Sequence, residues 1–431
     1  MIGPFRQPLW SLLPALVAAI LAPSCGRPSR EGGARTQSSR RIVTIRFAVW
    51  GGTKEAEIWP EIARKFEERH KSIKVRVEFW PGDYYAKLLT TLAAKDAPDC
   101  FYLTYERVPA FASKGALLPL DRFVKEDKAI NLNDFFPQAL SMFRWKGKLY
   151  GLPKGVHTLA VFVNLDLFRK AGLELPRRDW TWADYLRLAK ALTKDTDGDG
   201  RPEIFGTSIY PFDVALYQSG VEIVDAKRKV CLLNRPEAIE AVRFCRDLIF
   251  KHRVAPPMRT ESGLSHGDLF AAGKLAMSVG GTWNLANFKD IKAFEWTVVP
   301  LPSGRRKANI VFGAGVVIWS LTKHPKEAYL FAKFSTSKEA DEISARVGHS
   351  IPARRSALHA FLKRFPQAKV FVEELSSARL LPKEPWYREV DRIIWDEVEK
   401  ALSGRLSPEE ACKRAARRAN KVIRRAKDRS G

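Results

Sequence analysis

Three groups of residues in this chain have types and spacing that suit chemistry. Gly263-Leu-Ser-His-Gly267 spells the turn in which a serine nucleophile is lifted between a strand and a helix. Hydrolysis there needs a buried strand ahead of Ser265, and an acid and a histidine converging on it. The stretch ahead, Pro256 to Ser262, reads as a loop instead, and Ser265 with Asp268 reads as a helix cap before Leu269-Phe-Ala-Ala272. Asp195-Thr-Asp-Gly-Asp-Gly200 sets the carboxylates of Asp195, Asp197 and Asp199 at alternate positions before a turn glycine, the opening of a calcium loop. Gly206 stands where a bidentate Glu would close the cage, which leaves Glu203 as a late ligand and keeps both a structural calcium and a solvated turn open. The third group is aromatic: 12 Trp, 10 Tyr and 25 Phe. Rings beside planar polar groups suit ligands whose hydroxyls surround an apolar C–H face, as sugars do.

The elements that must position these groups alternate. Ile42 to Trp50 reads as a strand ending at Gly51-Gly52, and Pro60 to His70 as an amphipathic helix with Pro60 in its first turn and Ile62, Ala63 and Phe66 on one face. Ile73, Val75, Val77 and Phe79 alternate as a strand, Asp83 to Lys95 reads as a helix, and Asp99 to Thr104 as a short strand. Leu159 to Val163 has buried-strand character. Thr181-Trp-Ala-Asp184 opens a helix through Thr193, and Ser407-Pro-Glu-Glu410 opens another. This is an α/β layer pattern. Trp50 then falls at the carboxyl end of a strand, where open α/β sheets take their ligands. Tyr84 and Tyr85 are further ligand candidates, with Tyr84 expected to meet the ligand, and one of the pair packs the helix running to Lys95.

Length and composition bound the rest. Of 431 residues, the first 24 read as a signal peptide, with Arg6 ahead of an apolar run from Leu9 to Leu21. Leu21-Ala-Pro-Ser-Cys25 resembles a bacterial lipobox, in which Cys25 is lipidated; ordinary signal cleavage is the alternative. Residues 25–41 are Gly, Ser and Arg-rich and read as a tether. The formal charge of +25 loses only Arg6 with the signal, leaving +24 from Cys25 onward. No nucleic-acid partner is expected, because the basic residues are spread over helix faces and no nucleic-acid motif occurs. The densest basic run, Lys413 to Arg429, reads as a solvated terminal helix. Cys100, Cys231, Cys245 and Cys412 show no zinc spacing; Cys100 reads as a buried thiol, and a bridge among the others stays open.

Lys146 to Asn164, Gly273 to Trp283, Trp296 to Pro302, Lys326 to Phe334 and Leu402 to Ala411 together resemble signature segments of the extracytoplasmic sugar-binding proteins that feed ATP-driven importers, the group that includes the maltose-binding proteins. The resemblance implies a two-domain α/β periplasmic-binding-protein fold of type II with discontinuous domains. The first lobe would take 42–152 plus 315–356, and the second 156–312 plus 360–425. It further implies a monomeric, non-enzymatic receptor that needs no cofactor, takes a sugar or oligosaccharide in the cleft and passes it to the importer's permease subunits. An anion or polyamine on the same scaffold, or a serine hydrolase at Ser265, is the alternative. By resemblance Trp283 stacks on the ligand, Tyr105 and Glu106 fall where relatives place an aromatic and an acid, and Tyr210 and Asp213 lie on a loop that reaches the cleft. His157 stands where some relatives carry an acidic sugar ligand.

Overall fold

Alternating and continuous apolar runs set two sheets in the computed structural model, which describes residues 42–50, 53–225, 227–258 and 263–428. The signal-like run, Cys25 and the tether lie outside the described residues. The two sheets are the larger ones, beside three short two-stranded sheets, and their strands are β1 (Val43–Val49), β2 (Ile73–Phe79), β3 (Cys100–Thr104), β4 (Gly151–His157), β5 (Leu159–Asn164), β6 (Met277–Gly281), β7 (Trp296–Val299), β8 (Phe312–Ile318) and β9 (Ile351–Pro352). The helices that matter below are α1 (Thr53–Arg69), α2 (Tyr84–Ala93), α3 (Trp182–Leu192), α4 (Phe212–Gln218), α5 (His266–Ala271), α6 (Trp283–Phe288), α7 (Tyr387–Leu402) and α8 (Pro408–Asp428).

The larger sheet has the order β9-β4-β8-β3-β1-β2. Its strands β1, β2 and β3 are parallel, and β8 runs antiparallel to both β3 and β4. β1, β2, β3 and β4 therefore all point their carboxyl ends the same way, and the entry ends of β8 and β9 share that edge. Trp59 and Phe331 pack on Phe47, with ring centroids 4.7 and 5.1 Å away, and cover one face. The smaller sheet is antiparallel, in the order β6-β5-β7. Phe162 on β5 meets Phe288 and Trp296 at 4.9 and 5.8 Å, so its core is aromatic.

The chain passes from the large sheet to the small one at Thr158 and returns at Val311. Asn309 ties these two passages side by side: its side chain accepts from the Leu159 N–H at 3.1 Å and donates to the Leu159 carbonyl at 2.7 Å and to Glu374 at 2.8 Å. Buried polar groups paired in this way fix the register of the two passages.

Several helix starts follow local capping chemistry. Asp83 accepts from the Ala86 N–H, Thr181 and Asp184 form a capping box, and Ser407 accepts from the Glu410 N–H. Helix α1 departs from expectation. It begins at Thr53, so Pro60 lies inside it and not in its first turn. Ile58 and Trp59 are buried with Ile62 and Phe66, and that packing carries the helix upstream of the proline. All four described cysteines are buried free thiols.

Candidate functional site

The shared carboxyl edge of the large sheet gathers the chemistry. Read along the strand order, it presents His349 just before β9, His157 at the end of β4, Phe312 at the start of β8, Glu106 and Arg107 after β3, and Trp50 after β1. Neighbouring strands lie roughly 5 Å apart, so these side chains form a row about 20 Å long.

Trp50 is half-buried and leans on Tyr102 at 4.5 Å and Tyr84 at 5.1 Å. Tyr84 itself is 4% exposed, and its hydroxyl donates to the Tyr102 carbonyl at 2.8 Å. It supports Trp50 from below, so the expectation that Tyr84 meets a ligand is corrected. Its neighbour Tyr85, about 100° further round the helix, takes the edge position. The Tyr85 hydroxyl pairs with Thr104 Oγ1 at 2.9 Å, and the Arg107 guanidinium lies 3.5 Å from its ring centroid. Arg107 Nε is buried with no partner.

Tyr105 and Tyr210 also move from ligand surface to framework. Each is fully buried; the Tyr105 hydroxyl accepts from the Leu381 N–H at 3.0 Å, and that of Tyr210 donates to Gln218 at 2.9 Å. Tyr210 is enclosed by Trp182, Tyr185 and Phe244, a cluster that α3 brings against it. Glu106 remains half-buried beside Tyr105, and no ion pair forms on it among the described residues.

Two further carboxylates, Asp213 and Asp391, act on one another electrostatically, and Glu106 acts on the second. Asp213, at the start of α4, is driven up to about 6 by burial, with Asp391 adding to the rise. Asp391 on α7 is also raised, first by burial and then by Glu106, against the opposing pull of Arg388 at 2.8 Å. Tyr387 Oη lies close to Asp391 and Asp213 and has no partner. Phe212 and the 40%-exposed Trp395 meet at 4.6 Å and continue the patch. Sequence reasoning missed Asp391, Arg388 and Trp395. The available signal was Asp391, an acid that falls at helical spacing between the core residues Tyr387, Ile394 and Val398.

At the other end of the row, the Trp283 ring lies 5.4 Å from that of His157 and 6.2 Å from Phe312. His157 Nδ1 is 2.6 Å from Thr282 Oγ1, and its ring is 5.6 Å from His349. Burial, with a smaller push from His349, drives His157 down to about 3, so it is neutral at physiological pH. Gly280 and Gly281 serve the protein itself: a Cβ on Gly281 would meet Trp283 Cζ3 at 2.2 Å, and one on Gly280 would meet Asn284 Nδ2 at 2.3 Å. These glycines seat Trp283 and Asn284. Trp283 and Asn284 also border a cavity of about 590 Å³, where Ser278 Oγ is buried without a partner.

Ser265 caps α5 reciprocally with Asp268: the Asp268 N–H donates to its Oγ at 3.2 Å, and the Ser265 N–H and hydroxyl donate to the Asp268 carboxylate at 3.0 and 2.7 Å. Asp195, Asp197, Asp199 and Glu203 each bring a carboxylate oxygen within 4.8 Å of the others on an exposed loop. The N–H groups of Gly198 and Gly200 both donate to Asp195.

Residues 50–342 match the bacterial extracellular solute-binding protein family. The chain belongs to that family. Among similar solved structures, an ABC substrate-binding protein of Listeria monocytogenes in complex with cycloalternan is 30% identical, with a TM-score of 0.82 over 89% of this chain and 99% of its own. A maltose-bound T. maritima protein, 23% identical, shares the fold with a TM-score of 0.76 over 88% of this chain and 100% of its own. The maltodextrin-binding protein of Bacillus subtilis is 23% identical over 425 residues, 95% of each chain. This solute-binding protein therefore has the two-lobed periplasmic-binding-protein fold, acts as a substrate-binding component and not an enzyme, and works outside the cytoplasm. No described helix is long and apolar enough to cross a membrane.

Proposed function

We propose that this solute-binding protein captures a sugar or oligosaccharide between its lobes and hands it to the membrane subunits of an ABC importer. The observation that carries this reading is the composition of the row and its surroundings: half-buried rings at Trp50, Phe312 and Trp283 accompany the polar groups of Glu106, Asp213, Asp391 and the neutral His157. Rings meet the C–H faces of a sugar, while carboxylates accept from its hydroxyls. The listerial relative's cycloalternan and the bacillar relative's maltodextrin favour α-linked glucose oligomers as first ligands to try. A ligand bridging 42–152 plus 315–356 and 156–312 plus 360–425 favours closure only through its higher affinity for the closed state. Calorimetric titration with a panel of maltodextrins, cyclic glucans, amino sugars and polyamines tests the reading. Binding of a polyamine alone would defeat it.

Cys25 carries a lipid anchor in this reading, and the protein acts as a monomer. Cys25→Ser should release it from membranes, and a wild-type protein without lipid mass on that residue would exclude the anchor. In the same reading the loop from Asp195 to Glu203 is the candidate for one calcium ion, on the strength of four carboxylate oxygens within 4.8 Å of one another in a calcium-loop spacing. A chelator-sensitive rise in melting temperature on adding calcium is expected; identical melting with and without it would rule the site out.

A further inference from the structure

A second interlobe feature lies at the opposite, amino edge of the large sheet. There the hairpin Arg144–Leu149, the segment after Ser113, the turn before Val230, residues 383–389 and the end of α8 enclose a groove of about 1080 Å³. Lys114, Arg144, Lys146, Lys229 and Arg425 line it, and none of these five forms an ion pair with a carboxylate among the described residues. Only Glu384 and Glu389 oppose them. Two half-buried indoles, Trp145 and Trp386, complete the walls, and Lys146 Nζ sits 4.9 Å from the Trp145 ring centroid. Lys383 crosses between the lobes, donating to the carbonyls of Ser141 at 2.6 Å and Arg144 at 2.9 Å.

Lys146 and Lys229, with φ of 45° and 51°, stand at the tips of hairpins that line this groove; the other two described non-glycine residues with positive φ, Lys95 and Arg253, are also basic and lie outside it. Asn or Gly would occupy such positions with less strain.

We infer that this groove docks the protein on a membrane surface rich in anionic phosphate headgroups. Uncompensated cations supply attraction to phosphate, and indoles flanked by lysine and arginine suit the boundary between headgroups and acyl chains. Trp50, Glu106 and His157 stand at the opposite, carboxyl edge of the large sheet.

The test uses the chain from residue 25 onward with Cys25→Ser, so that neither the apolar signal run nor a lipid is attached, and compares it with the same chain carrying Lys146→Asn and Lys229→Asn. Binding to phosphatidylglycerol vesicles should exceed binding to phosphatidylcholine vesicles. The double variant should lose roughly fivefold for each lysine, about 25-fold in all. Its melting temperature should hold or rise, since Asn relaxes both turns, and its sugar affinity should not change. Equal binding to both kinds of vesicle, or a double variant that binds like its parent, would overturn the inference. So would saturation by inorganic pyrophosphate without attachment to vesicles, which would assign the groove to a soluble anion.

Discussion

Asp213→Asn should move stability and affinity in opposite directions. Burial holds this carboxyl at about 6 in the folded protein, against an ordinary value of 3.8. At about 1.4 kcal/mol per unit, the ionised group costs the unliganded fold up to about 3 kcal/mol at neutral pH, and roughly 1–3 kcal/mol once its partial exposure is allowed for. The sign follows from proton binding. Between these two values the native state holds a proton that the unfolded state has lost, so stability falls as pH rises through the window, and the cost is complete above about 6. Asn keeps the shape without the charge. The variant should be more stable near pH 7.5 by roughly 1–3 kcal/mol and no different near pH 3.5, where both forms of the side chain are neutral. A sugar hydroxyl that donates to the carboxylate loses a charged acceptor, so affinity should drop about 10- to 100-fold. Guanidinium denaturation of both proteins at the two pH values, alongside calorimetric titration of the sugar found by panel screening, measures each arm. A variant less stable than its parent near pH 7.5, or a stability difference indifferent to pH, would refute the argument.

Trp283→Ala should weaken sugar binding by about 2–4 kcal/mol, as truncated aromatic anchors do; calorimetry showing unchanged affinity would remove Trp283 from the site. Ser265→Ala should lower stability by about 1 kcal/mol through loss of the cap on α5 while leaving sugar affinity alone, read by denaturation and titration of the same sample. His157→Gln should flatten the acid limb of the stability profile. With His157 at about 3 in the fold and near 6.5 unfolded, the wild type loses stability as pH falls between those values, and denaturation across that range should show the loss shrink in the variant.

Local chemistry was legible in the sequence, and long-range enclosure was not. The caps at Thr181, Ser265 and Ser407 depend on residues three apart, so their letters fix their geometry. Trp50 and Glu106 could be placed at strand ends because β1 and β3 are short apolar runs with clear limits. Tyr105 and Tyr210 defeated the same reasoning. Whether a ring faces a cleft or a core depends on what covers it, and their covers come from Leu381 and from Phe244. The partnership of Asp213 with Asp391 was likewise invisible, since α4 and α7 meet only in the finished fold. Trp283 illustrates a mixed case, where the glycines before it marked a crowded spot but not what crowds it.

The position of β8 governs how this molecule can be made. It lies between β3 and β4, yet residues 105–311 intervene between the end of β3 and its own start. Until Phe312–Ile318 has been synthesised, β3 and β4 have no neighbour to join them, and the large sheet exists only as separate pieces with open edges. Closing such distant pairings is slow. A chain bound for the outside of the cell gains by that delay, because it stays threadable through an export channel while most of its length emerges. The same arrangement means that no contiguous fragment ending before Ile318 can contain a finished lobe, so a truncated product exposes unpaired strands and becomes a substrate for proteases or aggregation.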